Sequence, residues 1–167
     1  MAESEAEYMQ KHPPSCVGAD AAPAPVELRD LIQGKYGSNT SVFGLLCSCG
    51  ENQFAVSVPD DGLGPVVVKC ARCALQRTVF DPQKHGYDGV LGHNEETEVS
   101  PPSPRSCPKC RTSTFGLATG FQYSGETDIL EEDDLAIKPE DLFGWFVLAG
   151  RCTSCGESSV LADVECA

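Results

Sequence analysis

The sequence predicts a small, mostly-β protein in which one short helix is followed by two similar units. Three observations support this class. Cysteines occur in four close pairs, apolar residues alternate with small or polar ones beside these pairs, and the two halves share residues at equal offsets from them. A chain of 167 residues can form one ordinary domain or two small ones. Because a proline-rich stretch separates the two cysteine clusters, we expect two small domains.

The four cysteine pairs are the strongest chemical signal. They are Cys47 and Cys49, Cys70 and Cys73, Cys107 and Cys110, and Cys152 and Cys155. Two cysteines separated by one or two residues at a tight turn direct both sulfurs to one point, and two such pairs complete the tetrahedral shell that Zn²⁺ prefers. The spacing therefore predicts two structural Zn²⁺ ions. Since four thiolates leave no open coordination position, a catalytic metal is not expected.

Redox chemistry, an iron–sulfur cluster and disulfides are the other interpretations of these pairs, and we rank them lower. A thioredoxin-like Cys-x-x-Cys lies at the start of a helix within a βαβ pattern, which neither unit offers. Reducing conditions in the cytosol disfavour disulfides. Cys16 and Cys166 lie outside the pairs and are interpreted as incidental free thiols.

The two halves of the chain share positions beyond the cysteines. A phenylalanine, Phe54 or Phe115, follows the first pair of each half by five residues. An apolar residue and an aspartate follow the second pair by six and eight residues; they are Val79 and Asp81 in one half, and Leu161 and Asp163 in the other. These offsets predict a duplicated module. In it the phenylalanine packs under the cysteine turn and the aspartate ends the last strand.

With two cysteine turns joined by a β-hairpin and followed by a third strand, the chain resembles the zinc-ribbon class. The resemblance covers roughly residues 42–81 and 106–165 and implies two three-stranded antiparallel sheets, each holding one ion. The pair Cys47-Ser48-Cys49 is one residue tighter than the usual turn. The first site therefore has either a distorted turn or a substitute ligand such as His85 or Cys16.

The remaining segments are assigned from composition. Residues 1–24 are acidic and then rich in alanine and proline, which predicts a disordered tail. Residues 25–93 are predicted to form a helix over Val26–Lys35 and the first zinc ribbon. Residues 94–105 are predicted to form a stiff acidic, proline-rich linker. Residues 106–167 are predicted to form the second ribbon with an acidic insertion. Units of roughly 40 residues need a metal to fold.

The charge of the chain limits its partners. Its formal net charge is -13, and metal-bound thiolates make the folded protein more negative still. Nucleic acid is not expected as a partner, because only 12 Lys and Arg residues are scattered along the chain. A basic protein is the expected partner. The first residues carry no apolar signal segment and no stretch is long enough to span a membrane, so a cytoplasmic location is expected.

Two segments of the second unit are candidates for partner binding. The acidic insertion includes Glu131, Glu132, Asp133 and Asp134, and the most apolar stretch, Leu142–Leu148, includes Phe143 and Trp145. A three-stranded ribbon covers only one face of such a strand, so other residues must cover the apolar side chains on its second face. The cover is either the rest of the chain (the other ribbon, the helix or the acidic insertion), or a partner, or a second copy. The acids are either a solvated face or a docking segment for a basic groove.

These features favour a non-enzymatic protein-interaction module that presents an acidic and aromatic surface to a basic partner, for example as an immunity-type inhibitor. No motif for hydrolytic or redox catalysis, and no small-molecule substrate, is evident. The alternative is a factor associated with transcription or RNA processing whose acidic hairpin enters a polymerase or nuclease, with Asp133 and Asp134 holding Mg²⁺. A thiol redox enzyme is the third hypothesis and requires metal-free thiols of low pKa.

Overall fold

In the computed structural model, the described residues are 3–93, 98–123 and 137–166, and they form a curled antiparallel sheet with short helices on it. The helices are α1 (Glu5–Lys11), α2 (Val26–Tyr36) and α3 (Gly86–Val90). The strands are β1 (Ala21–Ala22), β2 (Thr40–Leu45), β3 (Gln53–Val58), β4 (Val66–Cys70), β5 (Gln76–Phe80), β6 (Ser103–Pro104), β7 (Phe115–Gln122), β8 (Trp145–Cys152) and β9 (Ser158–Glu165). The mostly-β class and the helix after Pro25 are confirmed. None of the described helices is long and apolar enough to cross a lipid bilayer.

Strand β7 connects the two halves of the sheet. Strand β8 pairs with it over its full length, and β9 follows β8. The other edge of β7 is shared, because β2 pairs with residues 118–122 and β3 pairs with Phe115 and Gly116. Strands β4 and β5 continue from β3. One sheet thus includes strands from both predicted units, while the division into domains at 25–93 and 106–167 stays a prediction.

Aromatic side chains fill the inside of the curl. Phe80 of β5 stacks on Phe146 of β8, with ring centroids 4.4 Å apart and planes 7° from parallel. Phe121 meets Phe143 edge-on at 4.8 Å. All four rings are at most 1% exposed. Burying such a side chain stabilises the fold by about 2 kcal/mol. The first half of the chain therefore covers the Phe146 face of the apolar stretch.

Helix α2 covers the opposite face of the same strands. Its fully buried side chains Leu28 and Ile32 recur at the i, i+4 spacing and pack on residues that include Val147 of β8. The helix ends before Gly37, whose φ of 92° favours glycine. At Gly120 of β7 an added Cβ would lie 2.7 Å from Cγ2 of Ile32, so only glycine allows this close approach. Within the fold, then, α2 covers the second face.

The predicted disorder of residues 1–24 is wrong for the described residues 3–24. Ser4 and Glu7 form a reciprocal capping box at the start of α1. Met9 and Val17 are 3% and 1% exposed, so two apolar anchors tie a polar segment to the core. The Gln10 side chain also donates to the Val42 carbonyl and accepts from the Val42 N–H, at 2.8 and 3.1 Å. Composition alone concealed these contacts.

The predicted linker 94–105 also takes part in the sheet. Residues 94–97 lie outside the described ranges. Ser103 and Pro104 form β6, which pairs with Val58 and Ser57 of β3. The prediction of a separate linker is therefore wrong for its last residues. A proline is compatible with this position because β6 lies at the edge of the sheet, where no donor is needed on its outer side.

Candidate metal centres

Eight cysteines converge in two groups of four. The first centre consists of Cys47, Cys49, Cys70 and Cys73, and the second consists of Cys107, Cys110, Cys152 and Cys155. Within each centre the four Sγ atoms all lie within 4.8 Å of one another. The first cysteine of each pair is buried, at 5% exposure or less, and the second lies nearer the surface. The pairing of distant cysteine turns expected from the sequence is present in both centres.

The sulfur–sulfur distances test the fit to a metal. They are 3.6 Å for Cys47–Cys73 and 3.5 Å for Cys49–Cys70 in the first centre. In the second centre they are 3.5 Å for Cys107–Cys155 and 3.4 Å for Cys110–Cys152. A tetrahedral ion with metal–sulfur bonds of about 2.3 Å requires sulfurs about 3.8 Å apart, whereas a disulfide requires about 2.05 Å. Both centres therefore fit a tetrahedral metal ion and could hold one each.

A common backbone turn directs the sulfurs. The residue after each pair has a positive φ: Gly50 (92°), Ala74 (64°), Arg111 (66°) and Gly156 (77°). The N–H of that residue donates to the carbonyl of the first cysteine at 2.8 to 3.1 Å in all four turns. These residues were not selected from the sequence. Glycine after Cys49 and after Cys155 was an available signal, whereas alanine and arginine in the other two turns concealed it.

The first turn is shortened, as its sequence indicates. The Cys47 N–H donates to the Glu51 carbonyl four residues on, at 2.8 Å. In the other three turns the first cysteine donates to a carbonyl five residues on, in Leu75, Thr112 and Glu157. The Cys47 sulfur nevertheless lies within its group. A shorter turn thus gives an equivalent arrangement of sulfurs.

The suggested substitute ligands have other surroundings. His85 Nδ1 accepts a hydrogen bond from the Asp81 N–H at 2.9 Å, and burial lowers the His85 pKa. Burial, helped by the nearby Asp141 carboxylate, raises the pKa of the Cys16 thiol to about 12. Among the described residues, neither side chain belongs to a group of metal-ligating atoms.

Hydrogen bonds favour a thiolate in each centre. At Cys70, burial raises the pKa, but hydrogen bonds from the backbone N–H groups of Cys73 and Arg72 and from the side chains of Cys49 and Cys73 together lower it to about 6. At Cys110, the hydroxyl and the backbone N–H of Thr112 lower the pKa to about 6. Thiolate is the form that binds a metal, so these contacts suit a ligand.

The two centres occupy the same position in the two halves. Phe54 lies opposite Cys70 across β3 and β4, and Phe115 lies opposite Cys152 across β7 and β8. Both rings are buried, at 4% and 0% exposure. This arrangement is consistent with an internal repeat. The expected role of the aspartates is only half met, because Asp81 directly follows β5 whereas Asp163 lies within β9.

The residues predicted for partner binding fall into three groups. Glu131, Glu132, Asp133 and Asp134 lie outside the described residues. Phe143 is 1% exposed, so its assignment to a surface is wrong: the ring belongs to the aromatic core. Trp145 is half-buried, lies 6.3 Å from the Tyr36 ring, and its Nε1–H donates to the Asp163 carboxylate.

Comparison with known proteins gives no relative: the chain matches no protein-family model, no curated protein and no solved structure. The functional argument is therefore built from the cysteine geometry and the surfaces described above.

Proposed function

We propose that this chain is a zinc-stabilised scaffold: tandem zinc ribbons, each folded around one structural Zn²⁺, that serve as a protein-interaction module. The observation that carries the proposal is the convergence of eight thiols in two groups with sulfur–sulfur distances of 3.4 to 3.6 Å. Zn²⁺ is the ion proposed because it prefers tetrahedral thiolate shells in structural sites.

The role of the ions is structural. Four cysteines complete the shell of a tetrahedral ion, and Cys70 and Cys152 are the last residues of strands β4 and β8. A structural zinc contributes about 10 kcal/mol of apparent binding free energy, which is folding free energy when the unfolded chain has no site. The metal therefore stabilises the sheet rather than performing chemistry.

Metal analysis of the purified protein tests this proposal. We expect two Zn²⁺ per chain, and thiolate-to-metal charge-transfer absorption after replacement by Co²⁺. Removal of the metal by a strong chelator is expected to reduce the β-sheet signal in circular dichroism, because the binding free energy of the two ions is then lost from the free energy of folding. As a control, Cys16→Ser should keep both ions, whereas Cys70→Ser should lose one. An unchanged spectrum after verified loss of both ions would contradict the structural role.

The proposed partner is a basic protein. The net charge of -13 supports it, as do the acids Glu131, Glu132, Asp133 and Asp134 with apolar residues around them. Trp145 adds a half-buried aromatic ring beside the acidic Asp163. In this proposal the acids accelerate association and the apolar residues between them supply contact area.

Neutralising the four acids tests the partner proposal. The variant Glu131→Gln, Glu132→Gln, Asp133→Asn and Asp134→Asn should capture less partner in a pull-down at low salt, and the difference should shrink at high salt as charges are screened. Neutralising Glu95, Glu96 and Glu98 removes nearly as much charge from another segment and serves as the matched control. Equal capture by the two variants would argue against a specific acidic docking segment.

A further inference from the structure

The outer faces of the two halves of the sheet have equivalent positions. One residue beyond the Phe54–Cys70 pair, Ala55 lies opposite Lys69. One residue beyond the Phe115–Cys152 pair, Gly116 lies opposite Arg151. The next outward-facing pairs are Ser57 with Val67 and Ala118 with Ala149. Each half therefore presents small residues and one cation on its outer face.

In the second half, helix α2 covers this face. Ala118 and Ala149 are fully buried and belong to one cluster with Leu28 and Ile32 of the helix. The carboxylate of Glu27, in the first turn of α2, lies 3.5 Å from the Arg151 guanidinium. In this half, therefore, the helix packs on small strand residues. An acidic residue in its first turn also pairs with the cation on the strand.

In the first half, the equivalent face is open. We call it the β3–β5 face and define it by Ala55, Ser57, Val67, Lys69 and Thr78. Ala55, Lys69 and Thr78 are exposed, and Ser57 and Val67 are half-buried. A cavity of about 230 Å³ lies over this face, bordered on one side by Pro102, Pro104 and Arg105.

The charge on this face is opposite to that of the chain as a whole. Lys69 forms no ion pair within residues 3–93, 98–123 and 137–166. Among the described residues, the Arg105 guanidinium forms an ion pair only with the exposed Asp60, at 3.4 Å, and its buried Nε has no hydrogen-bond partner. On a chain of net charge -13, two cations beside one cavity favour an acidic ligand.

We propose that the β3–β5 face binds an acidic helix of a partner protein, which lies on it as α2 lies on the second half. A carboxylate in the first turn of that helix pairs with Lys69, as Glu27 pairs with Arg151. The apolar side of the helix contacts Ala55 and Val67. This interaction is separate from the acidic-segment interaction proposed above, because it uses another half of the chain and the opposite charge.

The probe is an acidic variant of the α2 sequence, residues 26–36 with Arg29→Glu and Lys35→Glu, capped at both ends and stapled between positions 30 and 34, which are exposed in α2. It is titrated into the zinc-loaded full chain, labelled with ¹⁵N. We expect amide shift changes at Ala55, Ser57, Val67 and Thr78. Shift changes confined to Ala118 and Ala149 would mean that the peptide replaces α2, and would overturn the proposal, as would the absence of any shift change.

Two matched variants of the protein test the charge pair. Lys69→Glu should weaken peptide binding about fivefold or more, whereas Lys84→Glu, at an exposed lysine of the turn after β5, should not. A Glu27→Gln peptide should lose affinity for the wild-type chain but not for Lys69→Glu. Equal weakening by both lysine variants would overturn the proposal.

Sedimentation of the protein alone tests a second copy as the occupant. A dimer that is lost in Lys69→Glu would assign the β3–β5 face to self-association and overturn the partner helix. Each variant is first shown to contain two Zn²⁺ per chain, so that a change in binding at the β3–β5 face is not confused with the loss of a metal centre.

Discussion

His85 is a half-buried histidine whose surroundings favour the neutral form of the ring. Burial lowers its pKa below the usual 6.5, outweighing Asp81 and Asp141, which raise it, while Lys84 lowers it further. Its Nδ1 also accepts the Asp81 N–H, which requires that nitrogen to be unprotonated. His85 therefore fixes the turn between β5 and α3 in its neutral form.

The lowered pKa predicts a pH dependence of stability. Below the usual pKa the unfolded chain binds a proton at His85 that the folded chain does not, so the free energy of unfolding falls as the pH drops below about 6.5. We expect His85→Asn, which cannot gain this proton, to lose less stability than the wild type between about pH 7.5 and pH 5.5 in urea unfolding. Zinc content is measured at both pH values, and equal losses at equal zinc content would contradict the role of His85.

At the scale of elements, the packing of α2 on β7 depends on Gly120. Its missing Cβ leaves room for Ile32, which is fully buried. Gly120→Ala is expected to destabilise the fold by about 1–3 kcal/mol because the Cβ would overpack this contact. Gly116→Ala on the same strand is the control, since its Cβ would meet no atom within 4 Å.

A double-mutant cycle isolates that contact. Ile32→Ala alone should cost about 2–5 kcal/mol through the cavity it leaves. Combined with Gly120→Ala, the total loss should be smaller than the sum of the two single losses, because the added methyl enters the space that isoleucine vacates. Additive losses would mean that the two residues do not share this contact.

Elements set by local sequence were predictable, and those set by distant contacts were not. Helix α2 was predicted over Val26–Lys35 and is observed over Val26–Tyr36, and the cysteine pairs were found because the direction of their sulfurs depends on neighbouring residues. The pairing of Phe54 with Phe115 joins residues 61 positions apart, and no spacing encodes it. Phe143 was misplaced for the same reason, since one of the rings that cover it, Phe80, comes from the other half of the chain.

For the whole molecule, the shared sheet connects the two metal centres. Strand β3 of the first half pairs with β7 of the second, and Phe80 stacks on Phe146 across the curl. Loss of the second centre should therefore loosen the first half as well.

Cys152→Ser tests this coupling. We expect one Zn²⁺ per chain and faster amide hydrogen exchange in β4 and β5, although the substitution lies in β8. Cys16→Ser, outside both centres, should leave the exchange of these strands unchanged. Protection of β4 and β5 that survives the loss of the second ion would show that the halves are energetically independent.

The Gln10 amide, which bonds both the N–H and the carbonyl of Val42, occupies backbone groups on β2 that would otherwise face outward. A strand with free groups of this kind is a template for another chain. Deleting the first 24 residues would thus expose unpaired backbone groups at the edge of β2. The shortened protein is expected to aggregate through this edge. Light scattering of the full and the shortened protein at equal concentration would measure this protection, and equal values would contradict it.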